Sequence, residues 1–234
     1  DKVVFVETST LPYDTRLQEP GHVTVHGLNL PLFFGVFPSE KTDETLEKLY
    51  GLFKFTPVSD VLECGLHSLN PVLHTPGCIM NTGRIERSRG EFWLYEEGFT
   101  PTIARVTEAL DCERMAIARA FGYDPKPVSH ALSGGREPRS LWEEVNGSTA
   151  LTPIKGPSSI TNRYFTEDTP NGLVPWSLFG DLAGVETPLL DGFIEIEKVV
   201  IQQDVWKDGR TLEEMGIAGM DMGSLKEYLR TGKK

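Results

Sequence analysis

The chain has 234 residues, 39% of them hydrophobic and 24% charged, and a formal net charge of −11. That is the composition of a globular protein with room for one core or two. The acidic balance argues against nucleic acid or an anionic membrane as a partner.

Val3-Val4-Phe5-Val6 is a short continuous apolar run and reads as a buried parallel strand. No initiator Met precedes it, and a chain that opens on a core strand is expected to be a fragment of a longer polypeptide. Thr10-Leu11-Pro12-Tyr13 breaks the strand. Val23 and Val25 alternate with polar residues, Gly27-Leu28-Asn29 can turn, and Leu30, Leu32, Phe34 and Val36 alternate again. This predicts a hairpin, with Pro31 implying an edge or irregular position in its second arm.

From about residue 39 the signal is helical. Leu46, Leu49, Tyr50 and Phe53 follow helix spacing behind Thr42-Asp43-Glu44. Thr100-Pro101 opens a long helix with a stripe of Ile103, Val106, Leu110, Ile117 and Phe121, ended by Gly122. Ser140 with Glu143, Thr211 with Glu214, and Ser224 with Glu227 have capping-box spacing. Thr187-Pro188 opens another helix, with Leu190, Phe193, Ile194 and Ile201 apolar. Residues 124–139 and 147–162 read as loops. The stripes are expected to be core, and no apolar run approaches transmembrane length. The chain thus reads as β over residues 1–38 and as mainly helical over 39–234.

Asn70-Pro71-Val72-Leu73-His74 carries the first chemical signal. Asn70 is a preferred helix cap and Pro71 suits the first helical position. His74 is then expected in the first turn, where backbone N–H groups and the helix dipole favour anions. A histidine there is a candidate proton donor or acceptor; the alternative is that it only packs or hydrogen-bonds. A second segment, Arg163-Tyr164-Phe165-Thr166-Glu167-Asp168-Thr169-Pro170, puts a guanidinium and two carboxylates within six residues. Arginine grips a carboxylate bidentately, and a carboxylate on the second ring nitrogen of a histidine sets its tautomer. His74, Arg163 and Asp168 can therefore form one site; the alternative is a surface ion pair of Arg163 with Glu167 or Asp168. Tyr164 and Trp176 are near enough in sequence to shape a pocket, with core packing the default for both. His67 is expected in a strand or turn before the helix, His22 and His26 at the surface, and His130 in a loop.

The three cysteines, Cys64, Cys78 and Cys112, read as reduced thiols of a cytoplasmic protein. No His, Cys or Asp cluster has metal-ligand spacing, so no metal is expected. There is no GxGxxG and no Walker A motif. Ser133-Gly134-Gly135-Arg136 sits in a Pro-rich loop and reads as a flexible connection.

Asn70–His74 and Arg163–Asp168 resemble the opine dehydrogenase family, of octopine/nopaline dehydrogenase type. The resemblance continues, in order, through Phe99-Thr-Pro-Thr-Ile-Ala-Arg-Val-Thr-Glu-Ala-Leu-Asp-Cys-Glu-Arg114, Ala183-Gly-Val-Glu-Thr-Pro188 and Gly209-Arg-Thr-Leu-Glu-Glu-Met-Gly216. It covers nearly the whole chain. It implies a helical C-terminal dehydrogenase domain, 6-phosphogluconate dehydrogenase C-terminal-like, over residues 39–234. Residues 1–38 would be the last strands of an N-terminal Rossmann-type domain.

The resemblance further implies NAD or NADP as cofactor, bound mainly by a domain absent from this chain. The implied reaction joins an amino acid to a 2-oxo acid and reduces the imine. His74 would be the acid/base, Asp168 its orienting partner and Arg163 the anchor of a substrate carboxylate. From the residues themselves, Asn70 and Tyr164 are candidates for the substrate side, with a plain helix cap the alternative for Asn70. A homodimer is compatible with domains of this class. The competing readings are a 2-hydroxy-acid or 6-phosphogluconate-type dehydrogenase domain, and a non-enzymatic helical binding or dimerisation module.

Overall fold

A computed structural model describes residues 3–28 and 31–234, apart from the side chains of Arg16, Gln18 and His26. The chain is 52% helix and 11% strand, mainly α as expected. It divides into two compact units, residues 1–68 with 220–234, and residues 69–219.

The first unit holds all five named strands: β1 (Phe5–Thr8), β2 (Tyr13–Glu19), β3 (His22–Leu28), β4 (Leu32–Phe37) and β5 (Phe55–Pro57). It also holds α1 (Thr42–Lys48), α2 (Val61–Leu66) and the last helix, α12 (Met222–Thr231). β4 is the middle of a three-stranded sheet, antiparallel to β1 and parallel to β5. Leu32, Phe34 and Val36 are its buried side chains. Gly35 lets α2 close on β4, because a Cβ there would lie 2.7 Å from the Cys64 Cβ and 2.6 Å from the Asp60 carbonyl oxygen. The Asp60 side chain caps α2 by accepting from the Glu63 N–H.

Several expectations change here. β1 is antiparallel rather than parallel, and Val3, Val4, Phe5 and Val6 are exposed rather than buried. The hairpin joins β2 to β3 through Pro20-Gly21, with Gly21 at φ 84°, instead of joining 23–25 to 30–36. Alternation marks a strand but not its partner, and the turn decided the pairing. The expected turn residue Asn29, and Leu30, lie outside the described residues. Pro31 precedes β4, which is central and not an edge. α1 stops at Lys48 and buries no residue, and Tyr50 is 93% exposed, so that stripe is not core. The compact first unit runs on past residue 38 because β5 pairs with β4 and α2 packs on it.

The second unit is helical: α3 (Asn70–Ile79), α4 (Thr82–Ser88), α5 (Pro101–Phe121), α6 (Val128–Leu132), α7 (Leu141–Asn146), α8 (Arg163–Thr166), α9 (Val174–Ala183), α10 (Pro188–Ile201) and α11 (Val205–Asp208). α3, α5, α9 and α10 pack together as its centre. α5 forms as its ends dictate: Thr100 Oγ1 accepts from the Ile103 N–H, Pro101 opens the first turn, and Gly122 closes the helix at φ 91°. Ile103, Leu110, Ile117 and Phe121 are buried and Val106 is half-buried.

Of the three predicted capping boxes, Ser140–Glu143 is formed reciprocally at α7. Thr211 accepts from the Glu214 N–H in a turn that continues into no helix. At α12 the cap is Asp221, and Ser224 is the residue whose N–H it takes. α10 opens at Thr187-Pro188, but its cap is remote: the Glu113 carboxylate of α5 accepts the Leu189 and Leu190 N–H groups, each at 2.9 Å. The 124–139 loop contains α6, and Arg136 beyond the Gly pair is held by the buried Glu144 at 2.9 Å.

Candidate active site

α3 carries His74, and its start differs from expectation. Leu69 already has φ −98° and ψ −15°, so the chain is nearly helical before Asn70. A side-chain cap needs an extended cap residue. Asn70 is therefore the first helical residue, exposed and making no capping bond. His74 lies one turn further in, beyond the anion-attracting end of the helix.

What defines His74 is a carboxylate from far along the chain. His74 Nδ1 lies 2.7 Å from Asp168 Oδ2, and both side chains are buried. An ionised carboxylate only accepts, so the proton between them belongs to Nδ1. Nε2 is then the ring nitrogen open to take or give a proton, and it has no hydrogen-bond partner among the described residues.

Asp168 is delivered by α8 and the π-type turn that follows it (Thr169–Leu173). Asn162 caps α8 by accepting from the Tyr164 N–H at 3.1 Å, and the fully buried Phe165 anchors it. Two contacts clamp this segment to α3. Thr75 and Thr169, each the residue after a member of the pair, have hydroxyls 3.2 Å apart. Gly172 lies against Pro71, and a Cβ at Gly172 would meet the Pro71 Cγ at 2.4 Å. Only the missing side chain allows that approach.

The two carboxylates of the second segment separate in role. Glu167 takes Arg163, at 3.7 Å, on the surface, while Asp168 turns inward to His74. Arg163 is 59% exposed and sits over the Tyr164 ring, 5.4 Å from its centroid. Tyr164 in turn stacks on the His74 imidazole, with centroids 3.8 Å apart and planes 24° from parallel. Trp176 is a buried residue of α9.

The other histidines belong to other elements. His67 ends α2 in the first unit and stacks on Phe33, centroids 4.0 Å apart. His22 is exposed beside Glu19, His130 lies in the short helix α6, and the His26 side chain is outside the described residues.

Behind the pair lies a group that sequence reading did not single out. Glu197 of α10 is fully buried, and its Oε2 accepts from the Thr169 hydroxyl at 2.7 Å. Burial pushes its carboxyl up to about 8, and the neighbouring Asp168 charge adds to this against the opposing Thr169 bond. Cys78, on α3, is raised by burial and then by the charges of Asp168 and Glu197. Glu197 sits in a run of apolar and acidic residues, Phe-Ile-Glu-Ile-Glu-Lys, in which Glu195 and Glu197 look alike. Among the described residues, no group of His, Cys, Asp and Glu is arranged to hold a metal.

The model of the family described as NAD/NADP octopine/nopaline dehydrogenase, alpha-helical domain, matches residues 57–201. The chain is 34% identical over 228 residues to an opine dehydrogenase of Arthrobacter sp. (strain 1C), covering 96% of this chain and 63% of that protein. Octopine dehydrogenase solved with NADH and L-arginine superposes with a TM-score of 0.70 at 20% identity, over 99% of this chain and 65% of the other. The same enzyme with NADH and pyruvate gives 0.62 at 20% identity, over 99% and 64%. At that identity the structural likeness speaks for the fold. The chain spans less than two thirds of the length of each of these relatives. With a match over more than half of its length, the chain belongs to the octopine/nopaline dehydrogenase family and carries that family's alpha-helical domain.

Proposed function

We propose that this chain is the substrate domain of an NAD(P)-dependent opine dehydrogenase, and that His74 moves the protons of a reductive condensation between an amino acid and a 2-oxo acid. The observation that carries this reading is the buried His74–Asp168 bond, which leaves Nε2 as the working nitrogen. The octopine dehydrogenase structures hold L-arginine in one case and pyruvate in the other, an amino acid and a 2-oxo acid.

The proton demands match the residues. The amine attacks only when neutral, so a base must first take its proton. The adduct loses water only when an acid gives one back. An imidazole does both in turn near neutral pH. Asp168 holds the tautomer and stabilises the imidazolium between the two steps. Arg163, exposed and loosely paired, is free to grip the carboxylate of the 2-oxo acid. Tyr164 forms a wall of the site through its stack on His74. Asn70, exposed and one turn before His74 on the same helix face, completes the substrate side.

Reduced nicotinamide supplies the hydride in such a reaction. The glycine-rich strand-to-helix turn that cradles a pyrophosphate does not occur in this sequence. Dinucleotide binding is therefore assigned to the part of the full-length protein beyond this chain, with the β-rich first unit belonging to that half. The test is an oxidation assay on the full-length protein. NADH or NADPH should be consumed only when a 2-oxo acid and an amino acid are both present. Equal consumption with the 2-oxo acid alone would replace this reading by a 2-hydroxy-acid dehydrogenase.

A further inference from the structure

Glu197 is an expensive residue for a helix core. It is fully buried, and among the described residues its carboxyl has one hydrogen bond. The other oxygen, Oε1, has no partner among the described residues. A methionine or leucine would fill that volume without the cost of an unsatisfied polar atom. A buried carboxyl kept under those terms points to a task other than stability.

The geometry identifies the task. Thr169 has a single hydroxyl proton, and it goes to Glu197 Oε2. The Thr75–Thr169 contact must then run the other way, with the Thr75 hydroxyl donating to Thr169. The result is a directed chain, Thr75 to Thr169 to Glu197, lying behind His74 and Asp168. Each threonine directly follows one member of the pair. Glu197 is the terminal acceptor, so it sets the direction and holds three elements, α3, the turn after Asp168 and α10, to one another.

We propose that Glu197 is a positioning residue that holds Asp168 on His74 by accepting the Thr169 hydroxyl proton. It touches neither member of the pair through a hydrogen bond and acts through Thr169. The carboxyl does this work uncharged, with its acid proton on the unpartnered Oε1 and Oε2 left as the carbonyl oxygen that accepts from Thr169. Burial and the charge of Asp168 both disfavour a second anion there, and a neutral acid still offers Thr169 a carbonyl oxygen. The importance of this role for turnover rests on the acid/base reading of His74, whereas the positioning itself does not.

The test compares Glu197→Met with Glu197→Gln in the full-length protein. The two replacements are close in size, and only glutamine keeps an acceptor for Thr169. The readouts are the NMR signal of the His74 Nδ1 proton and the steady-state constants for both substrates. In the wild-type protein and in E197Q the Nδ1 proton should appear far downfield and exchange slowly. In E197M it should shift upfield or broaden into exchange. E197M should lower kcat about tenfold, the equivalent of one buried hydrogen bond, with KM values held, and E197Q should recover most of that loss.

Thr169→Val is the second route, removing the hydroxyl with little change of shape, and it should match E197M. Wild-type resonance and kcat in E197M and in T169V would overturn the proposal. So would an E197Q protein as impaired as E197M, since the acceptor would then not be what matters. If the wild-type protein lacks condensing activity, the functional reading fails while the resonance still decides the positioning role.

Discussion

His74 and Asp168 are 94 residues apart in sequence and 2.7 Å apart in space, and among the described residues neither buried side chain has another hydrogen-bond partner. Removing either should stop proton movement without unfolding the domain. His74→Ala is expected to lower kcat by about 10²–10⁴-fold with dinucleotide affinity unchanged. Asp168→Asn presents an amide that can donate to Nδ1 and so selects the wrong tautomer. It should lose rate on a similar scale, about 10²–10⁴-fold. Steady-state kinetics and NADH titration on the full-length variants check both. Activity within a few-fold of wild type would remove the pair from the mechanism.

Arg163 has a different signature. It lies on the exposed side of Tyr164, away from the buried pair, so its loss should leave the proton chemistry intact. Arg163→Ala is expected to raise the KM of the 2-oxo acid by about 10–100-fold, the loss of a charge-assisted bidentate contact, with a smaller change in kcat. An unchanged KM would reject the anchor role.

Gly172 tests how tightly the two segments must meet. An added Cβ would sit 2.4 Å from the Pro71 Cγ and 2.8 Å from the Pro71 Cβ, within a proline ring that cannot swing aside. Gly172→Ala should therefore push the turn away from α3 and cost about 1–3 kcal/mol of stability. A shift of the Asp168 segment by a fraction of an ångström should also cost activity, up to about 10²-fold in kcat. Chemical denaturation and kinetics measured side by side would separate the two losses. An alanine variant with wild-type stability and kcat would show that the contact is not limiting.

Glu197 makes a prediction about pH. Its carboxyl titrates at about 8 in the folded chain, against an ordinary value of 4.5. Between those values the folded protein binds a proton that the unfolded chain has released. Stability from this group is therefore fully present below about pH 4.5 and is lost as pH rises toward 8. Glutamine has no such proton. Between pH 5 and pH 8 wild type should lose stability relative to Glu197→Gln by on the order of 2–4 kcal/mol. Urea denaturation of both proteins at several pH values measures it. Parallel pH profiles would mean that Glu197 titrates normally.

Much of the helical framework was legible because its signals are local. Thr100-Pro101 and Gly122 bound α5 within a residue, since caps and helix terminators act through neighbours three to five positions away. Ser140–Glu143 is the same kind of signal. The strands were less legible. β3 and β4 both alternate, but alternation is blind to partners, and Pro20-Gly21 joined β3 to β2 instead. Asn70 is a favoured capping residue that does not cap, because Leu69 had already entered helical dihedrals.

His74, Arg163 and Asp168 stood out as residue types able to do acid/base and carboxylate chemistry, and the family resemblance tied them together. Sequence alone thus determined the mainly helical class, both ends of α5, the start of α10, and a short list of chemical groups. Tertiary structure decided which of them act together. It gave Asp168 rather than Glu167 to His74, left Arg163 at the surface, and placed Tyr164 on the imidazole ring. It also brought in Thr75, Thr169, Glu197 and Gly172, none of which looks unusual along the chain. The reason is physical: burial, hydrogen-bond direction and close approach are relations between distant segments, and they exist only once α3, the turn after Asp168 and α10 have packed.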